Sequence, residues 1–381
     1  MRIVVVGGGI VGCSSAHYLA QRGADVVLCE RSNIGAGSTE RSAGGIRAQF
    51  STPVNVALSR ASMRVWDRFE DEFDADISHR RSGYLFLART DDSVEELAET
   101  VAMQNEQGVP SESLTPEEAL EHCPGLRADR FRSATYSPTD GFADPHLALQ
   151  AFATRAREDG VDIRTGVEVT DVLRDGGGVT GVETTAGPID ADFVVNAAGP
   201  WAGRVAAMAG LDLPISPERR QIAVVDPETP VPESVPLVID LDTGLYFRPE
   251  REGAAIVGGH FGGDTTVDPN AYDHSSDLDW TIDAVEKAAE LATYFGPDSR
   301  IRRGWAGLYA VTPDHHPIIE ETISGFVNAV GFSGHGFQHA PATGQLVTEL
   351  VFDGEASLVD ISGLDSARFA DGRTVDERNV A

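Results

Sequence analysis

Near the start of the chain, Gly7-Gly8-Gly9-Ile10-Val11-Gly12 carries the Gly-x-Gly-x-x-Gly spacing that suits a pyrophosphate. Each glycine has a separate task. Gly7 permits a tight turn, Gly9 lets backbone N–H groups approach the phosphates, and Gly12 lets the following helix pack closely on its strand. The N-terminus of that helix then offers unpaired donors and partial positive charge, with Ile10 and Val11 in its first turn. Glu30 stands where a carboxylate accepts from the ribose 2′-OH of an adenosine and, as an anion, disfavours a 2′-phosphate. FAD or NAD satisfies this pattern and NADP does not. The spacing alone is a weak signal, because Gly176-Gly177-Gly178-Val179-Thr180-Gly181 also fits it. That second match lies between two strand-like stretches with no helix after it, so it reads as a hairpin turn.

The elements that must position the first match are legible around it. Ile3 to Val6 is an apolar run suited to a central parallel strand, Cys13 to Arg22 has helical apolar spacing ending at Gly23, and Val26 to Cys29 is a second strand. Together they form a βαβ unit. A second loop rich in glycine and hydroxyls, Gly35 to Gly45, follows Glu30, and a plain NAD dehydrogenase has no need of it. Helices are predicted over Val54 to Phe73, Asp92 to Gly108, Leu147 to Asp159 and Thr281 to Tyr294, with another opening at Thr115 and Asp144 as a helix cap. Strands are predicted at Tyr84 to Ala88, Val194 to Ala197 and Phe326 to Val330, the last leading into Gly331-Phe332-Ser333-Gly334-His335-Gly336-Phe337. The adjacent His315 and His316 suit a solvated loop better than a metal site.

Taken together, these motifs resemble the D-amino-acid oxidase superfamily of FAD enzymes, in the branch of sarcosine oxidases, glycine oxidase and dye-linked L-proline dehydrogenases. The resemblance extends to Thr139-Asp140-Gly141 and Trp305-Ala306-Gly307, and the flavour is that of the archaeal proline dehydrogenase β subunit. It implies an α/β fold: a Rossmann-type FAD-binding domain in three pieces, 1–80, 142–212 and 306–381, with a discontinuous antiparallel-sheet substrate domain from 81–141 and 213–305. It implies cofactor contacts from Arg31, Ser38, Thr39, Ser42, Ala43, Gly44, Gly45, Val169, Ala198, Gly199, Trp201 and the 331–338 stretch through Gln338. On the substrate side it implies Arg47, gripping a carboxylate, with Tyr246, Arg248 and His260. Two departures matter. Gly307 stands where monomeric sarcosine oxidases tether FAD through a cysteine, so the cofactor is expected to be noncovalent, and Gln338 replaces a lysine that shares carboxylate binding there.

The implied reaction is oxidation of a small amino acid or N-alkyl amino acid to the imine by hydride transfer to FAD. Alternatives on the same scaffold are a 2-hydroxy acid or glycerol 3-phosphate dehydrogenase and a non-catalytic assembly factor. The expected partners are the amino-acid substrate, an electron acceptor (dye, quinone or partner protein) and further subunits of a hetero-oligomer.

Composition narrows the partners further. The chain has 381 residues, with 60 acidic against 30 basic side chains and a net charge of −30, which repels nucleic acid and anionic membranes. No apolar run approaches the roughly 18 residues of a membrane span. Cys13, Cys29 and Cys123 show no zinc spacing, and the chain enters its first strand at Ile3 without a basic leader, so a cytoplasmic location is expected. Lys287 is the only lysine, a bias that resembles proteins of salt-in haloarchaea. Carboxylate repulsion is weakly screened in dilute buffer, where the Debye length is about 30 Å at 0.01 M. The melting temperature is therefore expected to rise from dilute buffer to molar KCl, and a constant value would remove the halophilic reading.

Overall fold

The computed structural model describes residues 1–261 and 266–380; positions 262–265, inside the expected substrate domain, lie outside it. Strand Arg2–Val6 is central to a six-stranded sheet, flanked by Asp25–Glu30 and then Asp162–Thr165 on one side and by Phe193–Asn196, Phe326–Val330 and Ile318–Ile323 on the other. All neighbours are parallel except the last pair. Helices Ile10–Gln21, Pro145–Glu158 and Gly336–Asp353 pack on one face, and an antiparallel sheet of Val169–Asp175, Gly178–Thr184 and Ile189–Asp190 covers the other. With both faces covered, the central strands carry continuous apolar runs, Ile3 to Val6 and Val26 to Cys29.

A second sheet of eight strands runs Arg300–Val311, Ser216–Asp226, Ala255–Gly259, Leu245–Pro249, Leu237–Asp240, Tyr84–Ala88, Ser133–Ser137, Glu112–Leu114. It is antiparallel except where Leu237–Asp240 runs parallel to Tyr84–Ala88. The pleat sorts its side chains. Leu85, Leu87, Ala223, Leu245, Phe247 and Val257 join the core with helix Leu278–Leu291, whereas Tyr84, Phe86, Ile222, Val224, Tyr246 and Ile256 pack together on the opposite face. The expected division at 305/306 falls inside strand Arg300–Val311, which pairs with Ser216–Asp226 on both sides of that point.

Three expectations need correction. The helix foreseen over Val54 to Phe73 is two helices, Pro53–Trp66 and Phe69–Phe73, separated at Arg68. The break lets Trp66 and Phe69 stack 5.2 Å apart, a gain the helical period alone does not show. At Thr115 the capping contacts form, with Thr115 N–H on Glu118 and Glu118 N–H on Thr115, but only a 3₁₀ turn follows because Pro124 and Gly125 come too soon. His316 is not solvated. It is buried, with Nε2 on Thr52 Oγ1 and Nδ1 on the Asp314 carbonyl, and burial lowers its pKa. The Asp144 cap, accepting from the N–H groups of His146 and Leu147, forms as expected.

Asp314, next to that histidine, forms a buried ion pair with Arg368 at 2.6 Å, both side chains at most 2 % exposed. Burial alone would raise its carboxyl, but hydrogen bonding and the charge of Arg368 hold it below the ordinary value. Removing one partner of such a pair leaves an uncompensated buried charge. Asp314→Asn is expected to cost about 3 to 5 kcal/mol in urea unfolding at constant high salt, and a loss under about 1 kcal/mol would mean that Arg368 is satisfied by its carbonyl contacts alone.

Candidate functional site

A cavity of about 500 Å³ runs from the first βαβ turn to the inner face of the eight-stranded sheet. At one end it is walled by Gly7, Gly9, Ile10, Val11, Glu30, Arg31 and Val169. Gly7 takes φ +111°, and a Cβ there would lie 2.5 Å from the Ala197 carbonyl oxygen, so the turn requires glycine. Gly12 is not in the wall: a Cβ on it would meet the Gly7 carbonyl oxygen at 1.9 Å, so its task is strand–helix contact. A Cβ on Gly9 would meet nothing closer than Thr39 Oγ1 at 3.4 Å and would project into the cavity. Helix Ile10–Gln21 has no side-chain cap, leaving first-turn donors for an anion. Glu30 accepts from the N–H groups of Gly8 and Ser32, both at 2.7 Å, which fixes its carboxylate at the cavity edge. This cradle fits the pyrophosphate and ribose of a dinucleotide.

Along the middle lie Ser38, Thr39, Ser42, Ala43 and Gly45 on one wall and Ala198, Gly199 and Trp201 on the other. Gly44 is absent from the wall; at φ +77° its backbone turns so tightly against Ala143 that a Cβ would sit 2.0 Å from that carbonyl oxygen. Thr39 Oγ1 accepts from Ile10 N–H, tying the second loop to the first helix. The loop Pro269, Asn270, Tyr272 and His274 closes this region, with Asn270 Oδ1 accepting from Trp201 Nε1 at 2.7 Å and Arg31 at 2.8 Å. No periodic signal marked that loop.

The far end is formed by Gly331, Phe332, Ser333, Gly334, His335, Gly336, Phe337 and Gln338, facing Arg47, Tyr84, Tyr246 and Tyr309, with Ile222, Leu237 and Ile239 supplying apolar wall. Gly331, Ser333 and Gly334 all have positive φ, and helix Gly336–Asp353 begins there without a side-chain cap. The cavity thus carries an uncapped helix start at each end.

Arg47 is buried, 3 % exposed. One terminal nitrogen donates to the Gln49 carbonyl and the other to the Asn379 carbonyl, and the guanidinium lies 4.1 Å over the Phe50 ring. The second nitrogen also approaches His335 Nε2 at 3.3 Å. Because guanidinium only donates, Nε2 must accept, so the His335 proton resides on Nδ1. Burial and then the Arg47 charge hold His335 well below its ordinary pKa, and the same causes take His339 to about 3. Both rings are neutral at pH 7. Asp140, fully buried, accepts from Ala48 N–H at 2.9 Å and Gln49 Nε2 at 3.2 Å, and burial pushes its carboxyl up to about 6. Burial also raises Tyr84, Tyr246 and Tyr309, so the three phenols stay protonated.

Not every expected substrate residue reaches the wall. Arg248 spends its guanidinium on the protein, donating to the carbonyls of Ala43 (3.0 Å) and Pro249 (2.9 Å) and to Glu250 (3.1 Å), with Phe142 beneath it. It buttresses the loop before Arg47 and does not face the cavity. His260 packs edge-on against Tyr309, centroids 5.5 Å apart, and Tyr309 itself forms the wall. Tyr84, Tyr309 and Asp140 were not among the expected site residues. Asp140 was noted only as part of the Thr139-Asp140-Gly141 motif, and Tyr84 only as the polar-tipped end of a run otherwise apolar.

The model of the DAO family, described as FAD dependent oxidoreductase, matches residues 2–350. Sarcosine oxidase subunit beta of Arthrobacter sp is 31% identical over 387 residues, spanning 100% of this chain and 93% of that one. FAD-dependent oxidoreductase domain-containing protein 1 of Xenopus laevis is 31% identical over 427 residues, spanning 99% of this chain and 84% of the relative. The crystal structure of L-proline dehydrogenase from P. horikoshii superposes with a TM-score of 0.89 at 36% identity, covering 97% of this chain and 98% of that one. With the family match running through both ends of the cavity, the chain belongs to the DAO family of FAD-dependent oxidoreductases.

Proposed function

We propose that the protein oxidises a small amino acid or N-alkyl amino acid, of the proline, sarcosine or glycine type, to its imine. The observation that carries this reading is Arg47: a buried guanidinium in the cavity wall held by carbonyls, a neutral imidazole and aromatic faces. A substrate carboxylate is the natural counter-charge, and a charge-assisted pair there would fix the Cα. The similarity to a sarcosine oxidase subunit and a proline dehydrogenase supports the same substrate class. FAD supplies the acceptor for a hydride from Cα. The residues of this chain orient the substrate: Arg47 at the carboxylate, Ile222, Leu237 and Ile239 along the carbon skeleton, and the protonated phenol of Tyr246 at the rim. The uncapped start of helix Gly336–Asp353 and the backbone N–H groups of 331–337 favour negative charge on the reduced cofactor.

In this reading the division into 1–80, 142–212 and 306–381 against 81–141 and 213–305 separates cofactor-holding from substrate-holding segments. The protein works in the cytoplasm, in a hetero-oligomer that passes electrons onward, as the sarcosine oxidase subunit relative suggests. Among the described residues no helix is long and apolar enough to cross a membrane.

Anaerobic mixing with L- and D-amino acids, N-methylglycines and hydroxy acids is expected to bleach the flavin with an amino acid, and bleaching only by a hydroxy acid would replace this reading with the alternative. Arg47→Ala is expected to lose about 1.5 to 3 kcal/mol in kcat/KM for the carboxylate substrate with FAD retained; an unchanged value would remove Arg47 from the substrate site. FAD is expected to be noncovalent, because Gly307 lines the cavity and Cys29, the cavity's only cysteine, has its thiol raised to about 11 by burial. Acid precipitation should leave the colour in the supernatant, and colour in the unfolded pellet would contradict it. Oxygen is expected to be a poor acceptor: the resemblance to sarcosine oxidases, which stabilise superoxide with a lysine four residues before the histidine matching His260, puts aliphatic Ile256 at that position, on the inner face; peroxide formation as fast as dye reduction would overturn this.

A further inference from the structure

Residues 47–52 are an irregular segment inside the protein, and their backbone N–H groups find partners outside regular structure. Arg47 N–H donates to Gln338 Oε1 (2.7 Å), Ala48 N–H to Asp140 (2.9 Å), and Ser51 and Thr52 N–H to Glu377 (2.7 and 3.1 Å). Unpaired, each would cost a desolvation penalty, so these acceptors determine whether the segment holds one conformation.

Glu377 is 1 % exposed and collects neutral donors only. Oε1 accepts from Ser51 N–H, Ser51 Oγ and Asn379 N–H, and Oε2 from Thr52 N–H, Thr52 Oγ1 and Asn55 Nδ2. Thr52 is the N-cap of helix Pro53–Trp66, so Glu377 holds that residue by both its N–H and its hydroxyl and places a negative charge at the helix start. Two residues on, the Asn379 carbonyl accepts from Arg47, and Asn379 Nδ2 donates to the Gln49 carbonyl at 3.3 Å. Gln49 O is itself the acceptor for the other terminal nitrogen of Arg47. The tail therefore touches both groups that fix the direction of the guanidinium.

We propose that segment 376–380 is a positioning element for substrate binding, in which Glu377 anchors the tail and the Asn379 carbonyl aims Arg47 at the substrate carboxylate. Glu377 and Asn379 are positioning residues; neither is in the cavity wall. A guanidinium freed from its carbonyl partners keeps its charge but spreads over several rotamers, and a bidentate pair pays for that freedom at binding. The proposal rests on the reading of Arg47 as the carboxylate group.

The test compares the amino acid that bleaches the flavin with its carboxamide, in the FAD-loaded full chain, in Glu377→Gln, and in a chain ending at Thr374. Glu377→Gln keeps shape and removes charge, so it remains informative if the shortened chain fails to fold. Both variants are expected to raise the KM of the amino acid about fivefold or more, with kcat within about twofold, FAD content unchanged and the KM of the amide unmoved. Equal loss for acid and amide, a fall in kcat alone, or no change in Glu377→Gln would overturn the proposal. Arg47→Ala, run alongside, separates the failures. If it too keeps the preference for acid over amide, the carboxylate reading falls and the proposal with it; if it abolishes the preference while the tail variants retain it, the proposal alone falls.

Discussion

A positive charge held out of water at Arg47 is the constraint around which the substrate end of the cavity is built. A guanidinium cannot shed its proton, so burial must be offset by acceptors and by aromatic faces. The carbonyls of Gln49 and Asn379 and the rings of Phe50 and Phe86 provide that, and burial, reinforced by this charge, keeps His335 and His339 neutral. Asp140 stands one step back, bound to the backbone that carries the arginine instead of to the arginine itself. An ion pair there would have quenched the charge; carbonyl dipoles hold it while leaving it attractive to an anion.

The opposite end of the cavity solves a different problem with different means. Negative charge from phosphates is met by backbone donors at an uncapped helix start, and glycine is required where the chain must pass within contact of itself, as at Gly7 and Gly12. Backbone donors at a helix start stand at both ends, and the buried formal charge of Arg47 is added at one of them, so a strongly acidic chain still lines this cavity with groups suited to anions.

Local features were legible in the sequence because local rules govern them. The first βαβ unit, the 169–184 hairpin, the Asp144 cap and strand Phe326–Val330 all follow from spacing and turn chemistry within a few residues. Most of the residues expected through motif resemblance line the cavity, and Gly12 has the packing task its spacing implied, whereas Gly44 proved to serve chain packing and Arg248 to brace a loop. What escaped is long-range. Glu377 holds the N-cap residue Thr52 from 325 residues away, Asp140 serves a backbone 92 residues away, and Tyr309 enters the wall from a strand whose alternation does not say which face is inward. His316 failed for the same reason, since paired polar residues on a loop look solvated until distant partners, here Thr52 on its ring and Arg368 on its carbonyl, are in place.

Strand Arg300–Val311 runs from the outer part of the eight-stranded sheet to the flavin-side loop, paired with Ser216–Asp226 along its length except at one irregularity between Val224 and Val225. Around 305/306, where the two expected domains meet, the ladder is regular, so opening by rotation at that point would break its bonds in series. Any widening of the cavity there must come from local displacement of loops and side chains.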